Sequence, residues 1–145
     1  MEEKEFQIAC AALDDSRKVI AAGKVQRWDV VKWGVSVNLA LATVSVPIGR
    51  NWLFAILSIF VLVASLALVL HYNNRMTGAR TSAIDITERL KKFKIDYKSI
   101  AGADPVQAYS KGCAYDLQEL ILFILVLVLS MLPTVAYNLF GIWPK

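Results

Sequence analysis

The sequence predicts an all-α integral membrane protein with three transmembrane helices and a small cytoplasmic helical cap. Of its 145 residues, 57% are hydrophobic and 19% are charged, whereas soluble domains average about 45–50% and about 25%. All twelve acidic residues lie within 2–29 and 85–119, so two long stretches carry no acid. This pattern excludes intrinsic disorder, a disulfide-stapled secreted fold and an ordinary soluble enzyme.

Three segments are apolar and long enough to be considered as membrane spans. A hydrocarbon core about 30 Å thick requires roughly 20 residues of helix. The segment 52–70 has nineteen residues and no charge, and the longer segment 120–143 is also uncharged. The segment 33–48 has only sixteen residues, so a buried or interfacial helix is the alternative there. The short turn that joins it to the second segment favours a hairpin in which both helices insert together.

Basic residues predict the orientation. Fourteen of the sixteen Lys and Arg residues precede the first span or lie between the second and third, and only Arg50 and Lys145 lie on the other side. Because cytoplasmic loops are enriched in Lys and Arg, we expect the N-terminus in the cytoplasm and the C-terminus outside a bacterial inner membrane. The predicted segments are a cytoplasmic N-terminal helix at 1–29, a transmembrane hairpin at 30–72, cytoplasmic amphipathic helices at 73–119, and a third transmembrane helix with a short outer tail at 120–145.

The cytoplasmic segments also carry helical signals. Apolar side chains recur with helical spacing over six turns, at Ala79, Ala83, Ile86, Leu90, Phe93, Tyr97 and Ile100. Asp104 and Pro105 predict the N-cap and the first residue of a further helix, and Gly23 is the predicted end or hinge of the N-terminal helix. The apolar stripe either packs on that helix or forms a subunit interface, and the expected cap-interface residues are Ile86, Leu90, Phe93, Tyr97 and Ile100.

We expect no enzymatic activity, no cofactor and no metal ion. Cys10 and Cys113 are far apart, and the sequence contains no phosphate loop, nucleophile elbow or zinc-protease motif. The alternative is a lipid-modifying enzyme, whose candidate reactive residues at the inner membrane surface are His71, Asp116 and Glu119. The basic segment is interleaved with acids and lacks stacking aromatics, so nucleic acid is not an expected partner. The net charge of +4 instead indicates contact with anionic lipid.

Polar residues inside the spans are the candidate functional residues. They recur seven or four residues apart, which places those of each span on one helix face, and Ser36 and Thr43 are also seven apart. Because polar groups in hydrocarbon seek hydrogen-bond partners, these side chains either pack helix against helix or line a water-filled path between subunits. The candidates are Asn38, Ser45, Ser58, Ser65, Ser130, Thr134 and Asn138.

A cytoplasmic N-terminal helix, a tight two-span hairpin and a long charged amphipathic helix resemble the SLATT-type membrane effectors of bacterial conflict systems. The resemblance covers about 14–100, including RWDVVKWGVSVNLALATVSV and HYNNRMTGARTSAIDITERLKKFKIDY, and the third span lies beyond it. The resemblance implies an oligomer that permeabilises the inner membrane when a nucleotide signal or a protein partner triggers it.

The functional expectation is therefore a homo-oligomeric membrane effector that forms a pore or disrupts the inner membrane in response to a cytoplasmic signal, in anti-phage defence. The alternative is a membrane anchor or regulatory subunit without a pore, which recruits a cytoplasmic partner through its helical cap. A phage holin ranks lower, because the cap is more extensive than a simple timed hole-former requires.

Overall fold

The computed structural model describes residues 2–91 and 105–141, with side chains described at 3–90 and 116–141. Its helices are α1 (Glu2–Ile48), α2 (Trp52–Lys91) and α3 (Pro105–Val135), and α3 continues into a π-helical turn at Ala136–Phe140. The described residues contain no strand. Within the described ranges, three helices are long and apolar enough to cross a membrane. The prediction of an all-helical chain with three helices of this kind is therefore confirmed.

The start of α3 matches its sequence signal, whereas α1 departs from its own. The helix α3 begins at Pro105, the first helical position that the Asp-Pro pair predicts. The helix α1 runs through Gly23 without a break, so the predicted helix end at this glycine is wrong, whereas the predicted hinge stays a prediction. A Cβ atom at Gly23 would lie 2.5 Å from Met76 Cγ. The missing side chain thus makes room for Met76 of α2.

A three-residue turn joins α1 to α2. Gly49 adopts φ +90°, a left-handed conformation that favours glycine at the end of a helix, and its N–H donates to Ser45 O at 3.0 Å. Asn51 then begins the next helix, because its Oδ1 accepts the N–H of Leu53 at 3.0 Å and its backbone oxygen accepts that of Phe54 at 3.1 Å. These bonds satisfy backbone groups that a helix end leaves open.

The chain divides into two compact units. Unit 1 comprises Met1–Val25 and Tyr72–Gln118, and unit 2 comprises Gln26–His71 and Glu119–Lys145. Both α1 and α2 contribute residues to both units without a helix break. The assignment of 1–29 and 73–119 to the cytoplasm stays a prediction.

Unit 2 has an apolar surface around a small apolar core. The core consists of Val31, Val69, Phe123 and Leu127. The outward positions of α2 and α3 are also large and apolar, and about half of each side chain is exposed at Leu53, Ile56, Val63, Ile121, Leu125 and Leu129. A continuous apolar surface of this kind is unfavourable in water and is typical of helices that contact lipid.

Unit 1 buries apolar and polar side chains side by side. Leu13, Met76, Ala83 and Leu90 are buried, together with Ser16, Arg80, Thr87 and Asp116. In the expected cap interface, Leu90 is buried and Ile86 is half-buried. The remaining cap-interface positions, Phe93, Tyr97 and Ile100, lie outside the described residues.

Close helix packing in unit 2 depends on Gly34. A Cβ atom at this position would lie 2.6 Å from Ser65 Oγ and 2.7 Å from Leu127 Cδ2.

We expect Gly34→Ala to lower the free energy of unfolding by about 1–3 kcal/mol, because overpacking displaces both neighbours. An unfolding titration in mixed micelles measures this. The control is Gly78→Ala, because nothing lies within 4 Å of the added atom, and it should raise the same free energy by up to about 1 kcal/mol. Equal stability of Gly34→Ala and the parent chain would contradict the close packing.

Candidate functional site

Asn38 lies at the centre of a hydrogen-bonded cluster in unit 2. Its side chain is fully buried. The amide Nδ2 donates to Ser130 Oγ at 3.2 Å on α3, and the amide Oδ1 accepts the Ser58 hydroxyl at 2.7 Å on α2. One side chain on α1 therefore joins both other helices, with the donor end facing one helix and the acceptor end facing the other.

Thr134 completes this cluster, which we call the polar core (Asn38, Ser58, Ser130 and Thr134). Its hydroxyl donates to the backbone oxygen of Asn38 at 3.2 Å, and the Ser130 hydroxyl donates to Leu127 O at 2.7 Å. Hydrogen bonds are strong where water is excluded, and unpaired polar groups are costly there. The polar core is therefore a closed arrangement in which each side chain has a partner within the same chain.

The three other candidate residues of the spans are also buried in unit 2, outside the polar core. The Ser45 hydroxyl donates to Ala42 O at 2.8 Å, and Ser65 packs against Gly34. Asn138 donates to Thr134 O at 2.8 Å and accepts the N–H of Asn51 at 3.0 Å. All seven candidates thus face the interior of one chain. That some of these side chains line a water-filled path between subunits stays a prediction.

The turn between α1 and α2 is fastened to the end of α3 by contacts that the sequence did not indicate. Arg50 Nη2 donates to Leu139 O at 2.9 Å, and the Tyr137 hydroxyl lies 3.4 Å from Val46 O. The π-helical turn closes on Gly141, whose φ is +72° and whose N–H donates to Tyr137 O. Arg50, which is exposed and lies outside the predicted spans, thus donates to a carbonyl at the end of the π-helical turn.

Arg27 is a buried cation that sequence reasoning counted only as an orientation signal. Its side chain is 0% exposed, and Nη2 lies 2.9 Å from Glu119 Oε2. Its guanidinium carbon lies 5.7 Å from the centre of the Phe123 ring, and Trp28 meets that ring edge-on with centroids 4.8 Å apart. Cation–π contact and ion pairing offset part of the cost of removing the arginine from water.

A second buried arginine pairs with a carboxylate inside unit 1. Arg80 Nη1 and Asp116 Oδ2 form an ion pair, and both side chains are almost wholly buried. Glu119 and Asp116 are the two carboxylates of the lipid-modifying alternative, and the structure gives each an arginine partner. The available sequence signal was the placement of two acids three residues apart just before an apolar run, but nothing in the spacing identified their partners.

An exposed ion pair on α1 keeps its charges across the neutral pH range. Lys18 Nζ lies 2.7 Å from Asp14 Oδ2. Hydrogen bonding to Lys18 lowers the pKa of Asp14, and the same contact raises the pKa of Lys18. Its contribution is therefore lost only as the pH falls through the lowered pKa of Asp14 or rises through the raised pKa of Lys18. This pair is not a sensor of pH near neutrality.

Comparisons with protein-family models, with curated proteins and with solved structures found no match. The resemblance to SLATT-type effectors therefore stays a prediction. Among the side chains that the structure describes, no group of three or more His, Cys, Asp or Glu residues is arranged to hold a metal ion. The polar core and the ion pairs of the two buried arginines are the features that bear on function.

We expect Asp116→Ala to destabilise unit 1 by about 3–5 kcal/mol, because removal of one partner leaves a buried, uncompensated arginine. The double variant Arg80→Met with Asp116→Leu removes both charges and should recover most of that loss. Loss of helical signal on heating the full chain in detergent measures both variants. The assigned pairing would be refuted if the double variant were as unstable as Asp116→Ala.

We expect Asn38→Ala to lower the free energy of unfolding of the bundle by about 1–4 kcal/mol, because two interhelical side-chain bonds of about 0.6–2 kcal/mol each are lost. The unfolding titration described for Gly34 measures this change. Ser36→Ala is the control, because Ser36 is exposed on the same helix and lies outside the polar core. If both variants unfold alike, Asn38 does not hold the helices together.

Proposed function

We propose that this chain is a subunit of a homo-oligomeric effector of the bacterial inner membrane, which opens a pore or disrupts the bilayer in response to a cytoplasmic signal, in anti-phage defence. The observation that carries the proposal is the polar core. Three apolar helices suffice to hold a protein in a membrane, whereas polar groups at membrane depth are costly and commonly mark paths for water or ions. Asn38 and its partners provide such groups on all three helices.

We infer that the free energy that holds the polar core together is small enough for a binding partner to overcome. Each interhelical hydrogen bond contributes only about 0.6–2 kcal/mol, so a partner that prefers separated helices can offset the loss of two or three such bonds. Separation would exchange the partners of Asn38 for water and leave Ser58, Ser130 and Thr134 along the same path. In the closed arrangement, the apolar core that contains Phe123 and Leu127 excludes water, as hydrophobic constrictions do in channels.

Unit 1 is the proposed receiver of the signal. Its helix segments belong to α1 and α2, which also contribute Asn38 and Ser58 to the polar core. A cytoplasmic protein or a nucleotide signal, as the family resemblance implies, is the expected partner.

The second candidate is a membrane anchor or regulatory subunit that recruits a cytoplasmic partner and never conducts. One observation favours it. All seven polar candidates of the spans are buried inside a single chain, and the exposed positions within 53–70 of α2 and within 120–140 are all Leu, Ile, Val, Phe or Ala. Such a bundle is complete in lipid without any opening.

Dye release from liposomes separates the two candidates without knowledge of the signal. Purified full-length chain is reconstituted into vesicles of bacterial lipid over a range of protein densities. Since Asn38→Ala weakens the closed arrangement, we expect it to release dye about fivefold or more faster than the parent chain, which corresponds to about 1 kcal/mol of the lost bonding. Gly34→Ala is the matched control, because it destabilises the bundle without removing a bond of the polar core.

Background release from the parent chain and from Asn38→Ala at every density would reject the pore and favour the anchor. Equal acceleration by Asn38→Ala and Gly34→Ala would attribute the release to general instability and remove the polar core from the proposal.

A further inference from the structure

A surface concavity of about 270 Å³ lies on α1 in unit 2 and is lined by Asp29, Lys32, Trp33 and Ser36. These positions follow one another at i, i+3, i+4 and i+7, so they lie on one side of the helix, and all four are exposed. No charged residue follows Lys32 before Arg50. The concavity therefore lies where the charged part of α1 meets its uncharged part, at the edge of the first predicted span.

Asp29 and Lys32 give the concavity both signs of charge. Their charged atoms lie 3.8 Å apart, and the side chains are 55% and 70% exposed. A charge-assisted hydrogen bond requires a distance of about 2.7–2.9 Å, so the two groups attract each other without a hydrogen bond between them. Exposed pairs of this kind contribute little to stability. Both groups can therefore turn towards a ligand at small cost.

The two other lining residues suit a ligand at a membrane surface. The Ser36 hydroxyl makes no hydrogen bond to any residue that the structure describes, whereas the Thr43 hydroxyl donates to Leu39 O at 2.9 Å within its own helix. Trp33 is 72% exposed, and indoles are enriched at the level of lipid headgroups. The concavity thus combines a carboxylate, an ammonium, a hydroxyl donor and an aromatic wall.

Apolar side chains continue this side of α1 away from the charges. Val37, Ala40 and Val44 follow Trp33 at steps of four, three and four residues, and all three are exposed. A ligand that complements the whole surface has an apolar tail at one end and two opposite charges at the other. An anion without a positive charge is repelled by Asp29, and a cation without a negative charge is repelled by Lys32.

We propose that the concavity binds the headgroup of a zwitterionic phospholipid with a primary ammonium, phosphatidylethanolamine, whose acyl chains pack along the apolar side chains that follow it. Lys32 and Ser36 lie nearer those side chains and donate to the phosphate. Asp29 lies farther out and accepts the N–H groups of the ammonium.

The order of the groups along α1 supports this assignment. In a phospholipid the phosphate lies next to the acyl chains and the ammonium lies beyond it, which is the order of Lys32 and Asp29 relative to the apolar side chains. From Asp29 to Lys32 the helix rises about 4.5 Å, a separation that the two-carbon bridge of ethanolamine can span. The proposal rests on the membrane insertion that the proposed function includes, but not on a pore.

Native mass spectrometry of the full chain in detergent, titrated with lipids of equal acyl chains, tests the site. We expect the first phosphatidylethanolamine to bind about tenfold more tightly than phosphatidylcholine or phosphatidylglycerol. Asp29→Asn should reduce the preference over phosphatidylcholine to about twofold or less, because the charged acceptor for the ammonium N–H groups is lost. It should also tighten binding of anionic phosphatidylglycerol, because a repulsive charge is removed.

The matched control is Asp14→Asn, because Asp14 belongs to another exposed ion pair of α1 outside the concavity, and its lipid preference should equal that of the parent chain. Equal binding of the three lipids by the parent chain would overturn the proposal, as would an unchanged preference in Asp29→Asn. Soluble phosphoethanolamine at the concentration of the lipid should not displace it, because it lacks acyl chains. Full displacement would assign the site to a free phosphate ester and not to a lipid.

A charge exchange tests the order of the two groups. The double variant Asp29→Lys with Lys32→Asp keeps both charges but places the carboxylate beside the phosphate, so the preference for phosphatidylethanolamine should be lost. Retention of the preference would overturn the proposal. Because dye release is not measured, failure of the site leaves the pore as it stands. A chain that does not incorporate into vesicles of any of the three lipids would instead remove both proposals.

Discussion

A polar group that is buried away from water must find its hydrogen-bond partners within the protein, and this constraint governs unit 2 through Asn38. An amide must satisfy a donor end and an acceptor end, and in a buried position both partners must come from the protein. Asn38 obtains them from Ser130 on α3 and Ser58 on α2. The rotation of α1 and the register of both other helices follow, because a one-residue shift of any helix would remove a partner. The apolar contacts alone are compatible with several such registers.

Close approach of the helices is the second requirement, and glycine meets it. Side-chain bonds between Asn, Ser and Thr are short, so they form only where the backbones are near each other. Gly34 lies one turn before Asn38 and has no room for a Cβ atom beside Ser65 and Leu127. Packing and hydrogen bonding thus support each other, although each bond is weak. Such a bundle has one specific geometry, although the free energy that stabilises it is small.

The features that could be predicted from the sequence are those that depend on local composition. Apolar composition within one segment predicts span length, and periodicity predicts helicity and the polar positions. The Asp-Pro pair predicts the start of α3 at Pro105. Partner identity does not, because it depends on how separate segments meet in space. The burial of Arg27 against Glu119 was missed because its position just before a span also suits an orientation signal. Gly23 was misread because glycine serves both helix ends and close packing, and only its neighbour decides between them.

Polar groups on two sides of α1 constrain the proposed opening of the polar core. Asn38 faces α2 and α3, whereas Ser36 and Thr43 face away from them. In the proposed function, a path between subunits along the exposed side of α1 would be lined by Ser36 and Thr43, and the polar core would lie on the far side of the helix. Water can then reach Asn38 only by separation of helices within one subunit. In the proposed function, contact between subunits and opening of the polar core would therefore be separable events, and the proposed signal would act on the second while the first persists.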